Sequence, residues 1–321
     1  MKNIIIEEYA ANLKATMSKK DVSMHIKHVL QTQSEISLNT LPLQDPISVS
    51  IHTVSANYDK ESQLHSHDFF EIIYVYKGSA VQHSKNSKVT LEEGCVCLMN
   101  TNYKHGLSID NDDSIVFNIL ISKPVLSDSF CNFISEGSVF ADFFVNALFS
   151  NSKKGEYLIF EKNNNSNLDA LLQSLLEEYI SKKPDYRIAI QSYLSLVFTE
   201  LHRKHFYTSD ISSDQDIDFS AILSYAFNHL NNISVNALAE HFHYNPAYLS
   251  KALKNYLGRN FSSVISEIRL KKAASYLKTT SMRIDTIVEL LGYYDRSYFN
   301  RIFKKRYGVS PNEYRDLHRN Q

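Results

Sequence analysis

Two groups of side chains in this sequence have the types and spacing to do chemistry. In the first, His65, His67 and Glu71 form the pattern H-x-H-x3-E, Gly78 follows, and a second segment runs from Gly94 to His105. On an extended strand His65, His67 and Glu71 share parity, so all three can point into one interior. Two imidazoles, a carboxylate and a further imidazole are a donor set that divalent metals accept. The same set can instead contact an organic ligand or satisfy itself inside a core. Effector contact or a structural role is the reading taken here for His65, His67, Glu71 and His105. Tyr74 joins them as one of several tyrosines able to line a sugar-sized pocket, and no metal or cofactor is assigned.

The second group lies near the C-terminus. Ala247, Ser250, Lys251 and Lys254 share one face of a helix expected from Pro246 to Leu257. Ser297, Asn300, Arg301 and Lys304 share the outer face of another, expected from Arg296 to Tyr307, with Arg296 at its start. Small, polar and basic residues on an exposed helix face suit a helix lying in a major groove. Arg can make a bidentate contact to guanine and Asn the same to adenine. Lys304, Lys305 and Arg306 suit phosphates, which supply affinity without sequence information.

The elements that would carry the first group read as strands. Ile47, Val49 and Ile51 alternate with Ser48, Ser50 and His52, the period of a half-buried strand. Short β-branched and aromatic runs follow at Phe69 to Tyr76, Val89 to Leu91, Cys95 to Met99 and Ser114 to Ser122, with turn-rich gaps between them. Such spacing predicts an antiparallel sandwich or barrel. Phe140 to Phe149 is readable as a helix under the sheet. Leucines from Leu168 to Leu176, and apolar positions from Ile190 to Leu201, recur at helical spacing on either side of Pro184, predicting an antiparallel helix pair. Thr208 to Asp218 is rich in Ser and Asp and reads as a linker.

Beyond Asp218 the pattern is helical throughout. Leu249, Leu253 and Tyr256 form the inward face of one helix of a short helix–turn–helix unit, and Phe299, Ile302 and Phe303 that of a second, about fifty residues later. Gly292 sits where positive φ is wanted. The expected fold class is α+β multidomain: an N-terminal antiparallel β-barrel with helices, then an all-α domain with two helix-turn-helix motifs.

Charge divides along the same line. Residues 218–321 hold 15 Lys+Arg against 8 Asp+Glu, a net +7, while residues 1–217 hold 19 against 27, a net −8. A basic segment on an acidic remainder points to one part meeting a polyanion. At 321 residues and 43% hydrophobic, the chain has the length for two domains and is too apolar for disorder. No stretch approaches the roughly 20 apolar residues that cross a bilayer, and Met1 to Tyr9 has no signal-peptide h-region, so no membrane partner or export is expected. Cys95, Cys97 and Cys131 cannot form an even disulfide framework, and they read as small core residues in a reduced, cytoplasmic setting.

The second group of residues also carries a family resemblance. GYYDRSYFNRIFKKRYGVSPNEYR (Gly292 to Arg315) and ISVNALAEHFHYNPAYLSKALKNYLGRNF (Ile233 to Phe261) resemble the signature of AraC/XylS-type bacterial transcription regulators. The resemblance implies two helix-turn-helix units, joined by a long helix, reading successive major grooves of promoter DNA. By position it places base-reading roles on Ala247, Ser250 and Lys251, and on Arg296, Ser297, Asn300 and Arg301. His243 stands where Gly is usual in the first turn. The N-terminal pattern is similar to the paired motifs of cupin barrels, with Asn100 where Pro is usual.

Together these readings give four segments: a cupin-like sensing domain over 1–160, a dimerising helix pair over 161–207, a linker over 208–217 and a DNA-binding domain over 218–321. The function expected is sequence-specific regulation of transcription, as an activator. The expected partners are promoter DNA, a small-molecule effector (a sugar or other metabolite), RNA polymerase and a second copy of the chain. The rival reading is a metal-dependent cupin protein or enzyme whose helical domain serves protein contacts.

Overall fold

The computed structural model describes residues 3–17, 35–36, 47–52, 64–85, 87–109, 111, 113–123, 125–126, 143–144, 147–149, 155–162, 167–203 and 217–319. The chain forms two compact units. One comprises Met1–Leu126 with Lys153–Ser213, the other Ser127–Ser152 with Asp214–Gln321.

The first unit opens with helix α1 (Ile4–Met17). Its strands are β1 (Glu35–Ile36), β2 (Ile47–His52), β3 (Ser66–His67), β4 (Phe70–Lys77), β5 (Ser79–His83), β6 (Lys88–Glu92), β7 (Val96–Met99), β8 (Gly106–Ser108), β9 (Ile115–Ile121) and β10 (Tyr157–Phe160). Five of them form an antiparallel sheet in the order β10-β7-β4-β9-β2, and three form a second in the order β6-β5-β8. Their register sorts side chains by face. Ile73 lies opposite Cys97 and Asn118, and Glu71 opposite Met99 and Leu120. These residues therefore look into the same interior. There Ile73, Val75, Cys97, Met99, Val116 and Ile159 pack with Ala80 and Leu91 from the smaller sheet and with Ile109 just after it. Two sheets facing each other over one core give the expected antiparallel architecture, and the described ladders leave the barrel open between them.

Phe70, Ile72 and Tyr74 alternate to the other face of β4, and all three are buried. Helices α2 (Leu168–Ser181) and α3 (Tyr186–Arg203) bury Leu168, Leu172, Leu175 and Leu176, and Ile190, Leu194, Val197, Phe198 and Leu201. At roughly 1.5–3 kcal/mol for each large apolar side chain, that stripe suffices to hold the pair against its neighbours. Tyr74 lies beside Asp169 and Gln173 of α2.

Of the strands longer than two residues, three escaped the sequence pattern. β5 follows β4 after Gly78 alone and carries Ser, Gln and His, while β8 is three residues long. Gly78 has φ +79, and a Cβ there would stand 2.3 Å from Ser114 Oγ, so the reversal requires glycine. β10 completes the large sheet beside β7 and is apolar on both sides, so it shows no alternation. The helix expected under the sheet is corrected: of Phe140 to Phe149, the described residues 143–144 and 147–149 are helical but group with the second unit, where Phe149 packs on Phe227 at 5.4 Å. The linker expected at 208–217 lies outside the described residues, apart from Ile217.

The second unit is helical: α4 (Phe219–Asn228), α5 (Val235–His241), α6 (Pro246–Leu257), α7 (Phe261–Thr279), α8 (Ile284–Leu290), α9 (Arg296–Tyr307) and α10 (Pro311–Arg319). Capping residues set their starts. Asp218 accepts from Ala221 N and Ser234 from Ala237 N. Asn245 and Asp295 each accept from two backbone N–H groups, of Ala247 and Tyr248 and of Ser297 and Tyr298. Gly258 (φ 67) and Gly308 (φ 82) end α6 and α9 in the left-handed conformation. One core gathers Leu270, Ala273 and Leu277 of α7, Ile284, Ile287 and Val288 of α8, and Phe299 and Phe303 of α9.

Candidate functional site

A backbone bridge assembles the histidine group. The N–H of His65 donates to the carbonyl of His105 and the N–H of His105 to that of His65, both at 3.0 Å. The bridge brings His105, just before β8, against β3. His67 Nε2 then lies 3.0 Å from Glu71 Oε2, and His105 Nε2 lies 3.1 Å from the same oxygen. The far side of each ring is fixed too: His67 Nδ1 is 2.6 Å from the Phe69 carbonyl, and His105 Nδ1 is 3.3 Å from that of Tyr103. A carbonyl only accepts, so Nδ1 carries a proton in both rings and Nε2 is the atom turned inward. Phe69 stacks on His67 at 4.2 Å and Tyr103 lies parallel to His105 at 6.1 Å.

All three residues are buried. Burial alone would raise the Glu71 carboxyl, but the hydrogen bonds and charge of His105 and His67 outweigh it and hold the group well below the usual carboxylate range. His65 is half-buried, with its ring 4.7 Å from that of His105, beside the three converging atoms rather than among them. Tyr74 stands apart from this group. It occupies the opposite face of β4, next to a cavity of about 380 Å3 lined by Tyr76, Lys77, Asp169 and Gln173. Burial pushes its phenol upward.

Two interior residues were not singled out from the sequence. His52 and Asn118 are neighbours with His52 Nε2 and Asn118 Oδ1 buried, and burial lowers the His52 imidazole against the opposing pull of Glu71 and Asn118. The register of β2, β9 and β4 turns both toward the face that carries Glu71. The alternation of Ser48, Ser50 and His52 with apolar neighbours was the available signal. Asn100, in the place of an expected Pro, has a task Pro could not perform: its Oδ1 accepts from the N–H of Asn102 and of Glu156, tying the turn after β7 to the approach to β10.

In the helical unit the residues expected to face a polyanion do face outward. Ala247, Ser250, Lys251 and Lys254 are exposed on α6; Arg296, Ser297, Arg301, Lys304 and Lys305 are exposed on α9, and Asn300 is half-buried. Beneath them Leu249, Leu253, Phe299 and Phe303 are fully buried. The turn before α6 places His243 at φ 58 and that before α9 places Gly292 at φ 71, so His243 adopts the backbone that glycine provides in the second unit. Gly292 has a further constraint, since a Cβ would stand 1.7 Å from the Asn231 carbonyl oxygen.

The structure adds contacts that spacing could not show. Arg296 Nη1 binds both oxygens of Asp285, at 2.8 and 2.9 Å. The Arg301 guanidinium lies 5.4 Å over the Tyr298 ring. Tyr248 and Tyr298 occupy matching positions on α6 and α9, and both are exposed.

Comparison with known families now adds the decisive observation. The family model described as an AraC-like ligand binding domain matches residues 48–198, and a helix-turn-helix domain model matches residues 238–317, together well over half of the chain. The chain belongs to the AraC family.

Among its relatives is the HTH-type transcriptional activator RhaS of Enterobacter sp., 23% identical over 254 residues that cover 78% of this chain and 86% of that protein. The arabinose operon regulatory protein of Escherichia coli is 36% identical over 93 residues, 28% of this chain and 32% of that protein. The uncharacterized HTH-type transcriptional regulator YtdP of Bacillus subtilis is 37% identical over 89 residues, 28% of this chain and 12% of that protein. The chain is thus an AraC-family transcription regulator with a ligand-binding domain and a helix-turn-helix DNA-binding domain. Its relatives are transcriptional regulators, which sets the enzyme reading aside. Among the described residues no helix is long and apolar enough to cross a membrane.

For an AraC-family regulator the two sites have separate logic. The exposed faces of α6 and α9 offer cations and short polar side chains on rigid helices, the arrangement that groove reading needs. The interior of the ligand-binding domain offers a polar cluster within an apolar core.

Proposed function

We propose that this regulator activates transcription as a homodimer, placing α6 and α9 of each protomer in successive major grooves of promoter DNA. The observation that carries the reading is the matched exposure of the two helices: Ser250 and Lys251 on α6 stand where Asn300 and Arg301 stand on α9, each above a buried apolar face. Ser297, Asn300 and Arg301 read bases, with Ala247, Ser250 and Lys251 doing so in the first unit, while Lys254, Lys304 and Lys305 neutralise phosphates. Activation through RNA polymerase is supported by the relative named as an activator. Dimerisation through the α2–α3 helix pair is supported by Ile188 and Leu196, large apolar residues exposed on α3. An organic effector, a sugar or other metabolite, occupies the ligand-binding domain. The cellular setting is the cytoplasm.

The test is selection of binding sites from a randomised DNA pool by the full chain, followed by footprinting. A recovered consensus with protection in two adjacent major grooves per protomer supports the reading. Equal binding to every sequence overturns it.

A further inference from the structure

We infer that Glu267 and Arg269 of α7 are positioning residues: they clamp the two helix-turn-helix motifs at one angle and so confine recognition to one spacing of the two DNA subsites. The spacing requirement rests on the two-groove reading proposed above. The clamp itself is a property of the helical unit alone.

Helix α7 joins two halves of that unit, α4 to α6 and α8 to α10. The second half packs on the C-terminal part of α7 in a core drawn from Leu270 to Tyr314. Polar contacts from both halves then converge on the middle of α7, just before that core begins.

Glu267 takes a cation from each half. Arg259 Nη1, in the turn after α6, lies 2.7 Å from its Oε2, and Arg306 Nη2 of α9 lies 3.7 Å from its Oε1. Lys271 Nζ, one turn further along α7, adds a third at 3.5 Å. The Glu267 side chain is only 25% exposed, so these charges are less screened than those of an open surface pair.

Arg269 bridges the halves with different chemistry. Its Nε donates at 2.8 Å to the carbonyl of Leu230, just after α4, and its Nη2 donates to the same oxygen. The guanidinium carbon lies 5.6 Å from the centre of the Tyr293 ring, in the turn before α9. Beside it Gly292 passes the Asn231 carbonyl too closely for any side chain. Positions two apart on a helix point about 200° from each other, so the two residues brace α7 from opposite sides.

DNA makes that angle matter. One inserted base pair moves the second subsite about 3.4 Å along the duplex and about 35° around it. A braced protein cannot follow the turn with both reading helices. It then loses the gain from simultaneous engagement, which is on the order of 100-fold or more.

The test is fluorescence anisotropy of the full chain on duplexes carrying one protomer's two selected subsites, at the natural spacing and with one base pair added or removed. Wild type should bind the altered spacings more than about thirtyfold more weakly. The double variant Glu267→Gln, Arg269→Met should bind the natural site several-fold more weakly, and its spacing penalty should fall below about fivefold. A residue that serves stability alone lowers both affinities together and leaves that ratio unchanged. Far-UV circular dichroism checks folding. Should the double variant fail to fold, Glu267→Gln and Arg269→Met made singly should each lower the penalty. A penalty of wild-type size in folded variants overturns the inference, as does a wild type indifferent to spacing.

A second measurement uses no DNA. Nitroxides on p-acetylphenylalanine in place of Lys254 and Lys305 report the distance between α6 and α9 by double electron–electron resonance. Wild type should give one narrow distribution and the double variant a broader one. Equal widths overturn the clamp whatever the DNA results, whereas failure to select two subsites counts against the two-groove reading.

Discussion

Arg296 holds Asp285 through one nitrogen, with Nη1 at 2.8 and 2.9 Å from the two carboxylate oxygens, and so links the second helix of its unit, α9, back to the first, α8. Both partners are exposed, so the pair contributes little to stability, about 0–1 kcal/mol. Its importance lies in competition: the guanidinium that would meet DNA is already held by an anion. Asp285→Asn should leave the urea midpoint nearly unchanged and tighten binding to all DNA by a few-fold, since it removes a like charge from the binding face. Fluorescence anisotropy on specific and random duplexes checks this. Weaker binding would show that Asp285 positions Arg296 for its contact.

Arg301→Ala should cost on the order of 1–3 kcal/mol on the consensus site and relax preference at one base pair. Binding to every sequence weakened alike would instead assign Arg301 to phosphate. Its stacking on Tyr298 adds a second expectation: Tyr298→Ala should lose part of the same discrimination by freeing the guanidinium.

Lys305→Ala should weaken binding on every sequence to a similar degree, and lower the slope of log affinity against log salt by about one. Titrations at several salt concentrations measure that slope, and an unchanged value would remove Lys305 from the phosphate contacts.

The two turns should respond oppositely to substitution. Gly292→Ala places a Cβ against the Asn231 carbonyl at φ 71 and should destabilise the helical unit by more than about 1 kcal/mol. His243→Gly, at φ 58, relieves a left-handed non-glycine residue and should change stability by less than about 1 kcal/mol. Urea denaturation of both variants compares them.

Glu267 of α7 supplies a pH dependence. Burial raises its carboxyl, but Arg259 first, with Lys271 and Arg306, outweighs burial and holds it below the ordinary carboxylate value of about 4.5. A carboxyl depressed in the folded state adds stability that is complete above its unfolded value and is lost as pH falls through the folded one. The stability gap between wild type and Glu267→Gln should therefore be constant near neutrality and close as pH falls below about 4.5. A gap that persisted at lower pH would trace the effect to packing.

Much of this protein was legible before folding. The period of 3.6 in α2, α3, α6 and α9 specifies which side of each helix is buried, whereas the period of two in Ile47 to His52 separates two faces of a strand that are both covered, because side-chain direction follows locally from backbone geometry but its surroundings do not. The outward set on α6 and α9 followed from the same rule. So did the turn at Gly292, since positive φ is a local property of one residue. β5, β8 and β10 were illegible because a short, polar or wholly buried strand has no alternation to read; its place comes from the partner it pairs with. Phe149 shows the same limit, its position being set by Phe227, far away in the chain.

The sites divide along that boundary. Sequence alone determined that His65, His67, Glu71 and His105 were candidates, since their residue types and parity are local facts. Only tertiary structure decided which of them meet. The His65–His105 bridge brought His105 onto Glu71, strand parity carried Tyr74 to the other face, and the register of β2 and β9 brought in His52 and Asn118. Likewise sequence put Arg296 on a basic helix, and the packing of α8 against α9 set Asp285 across from it. Local periodicity says which way a side chain points; contacts between residues far apart in the chain decide what it meets there.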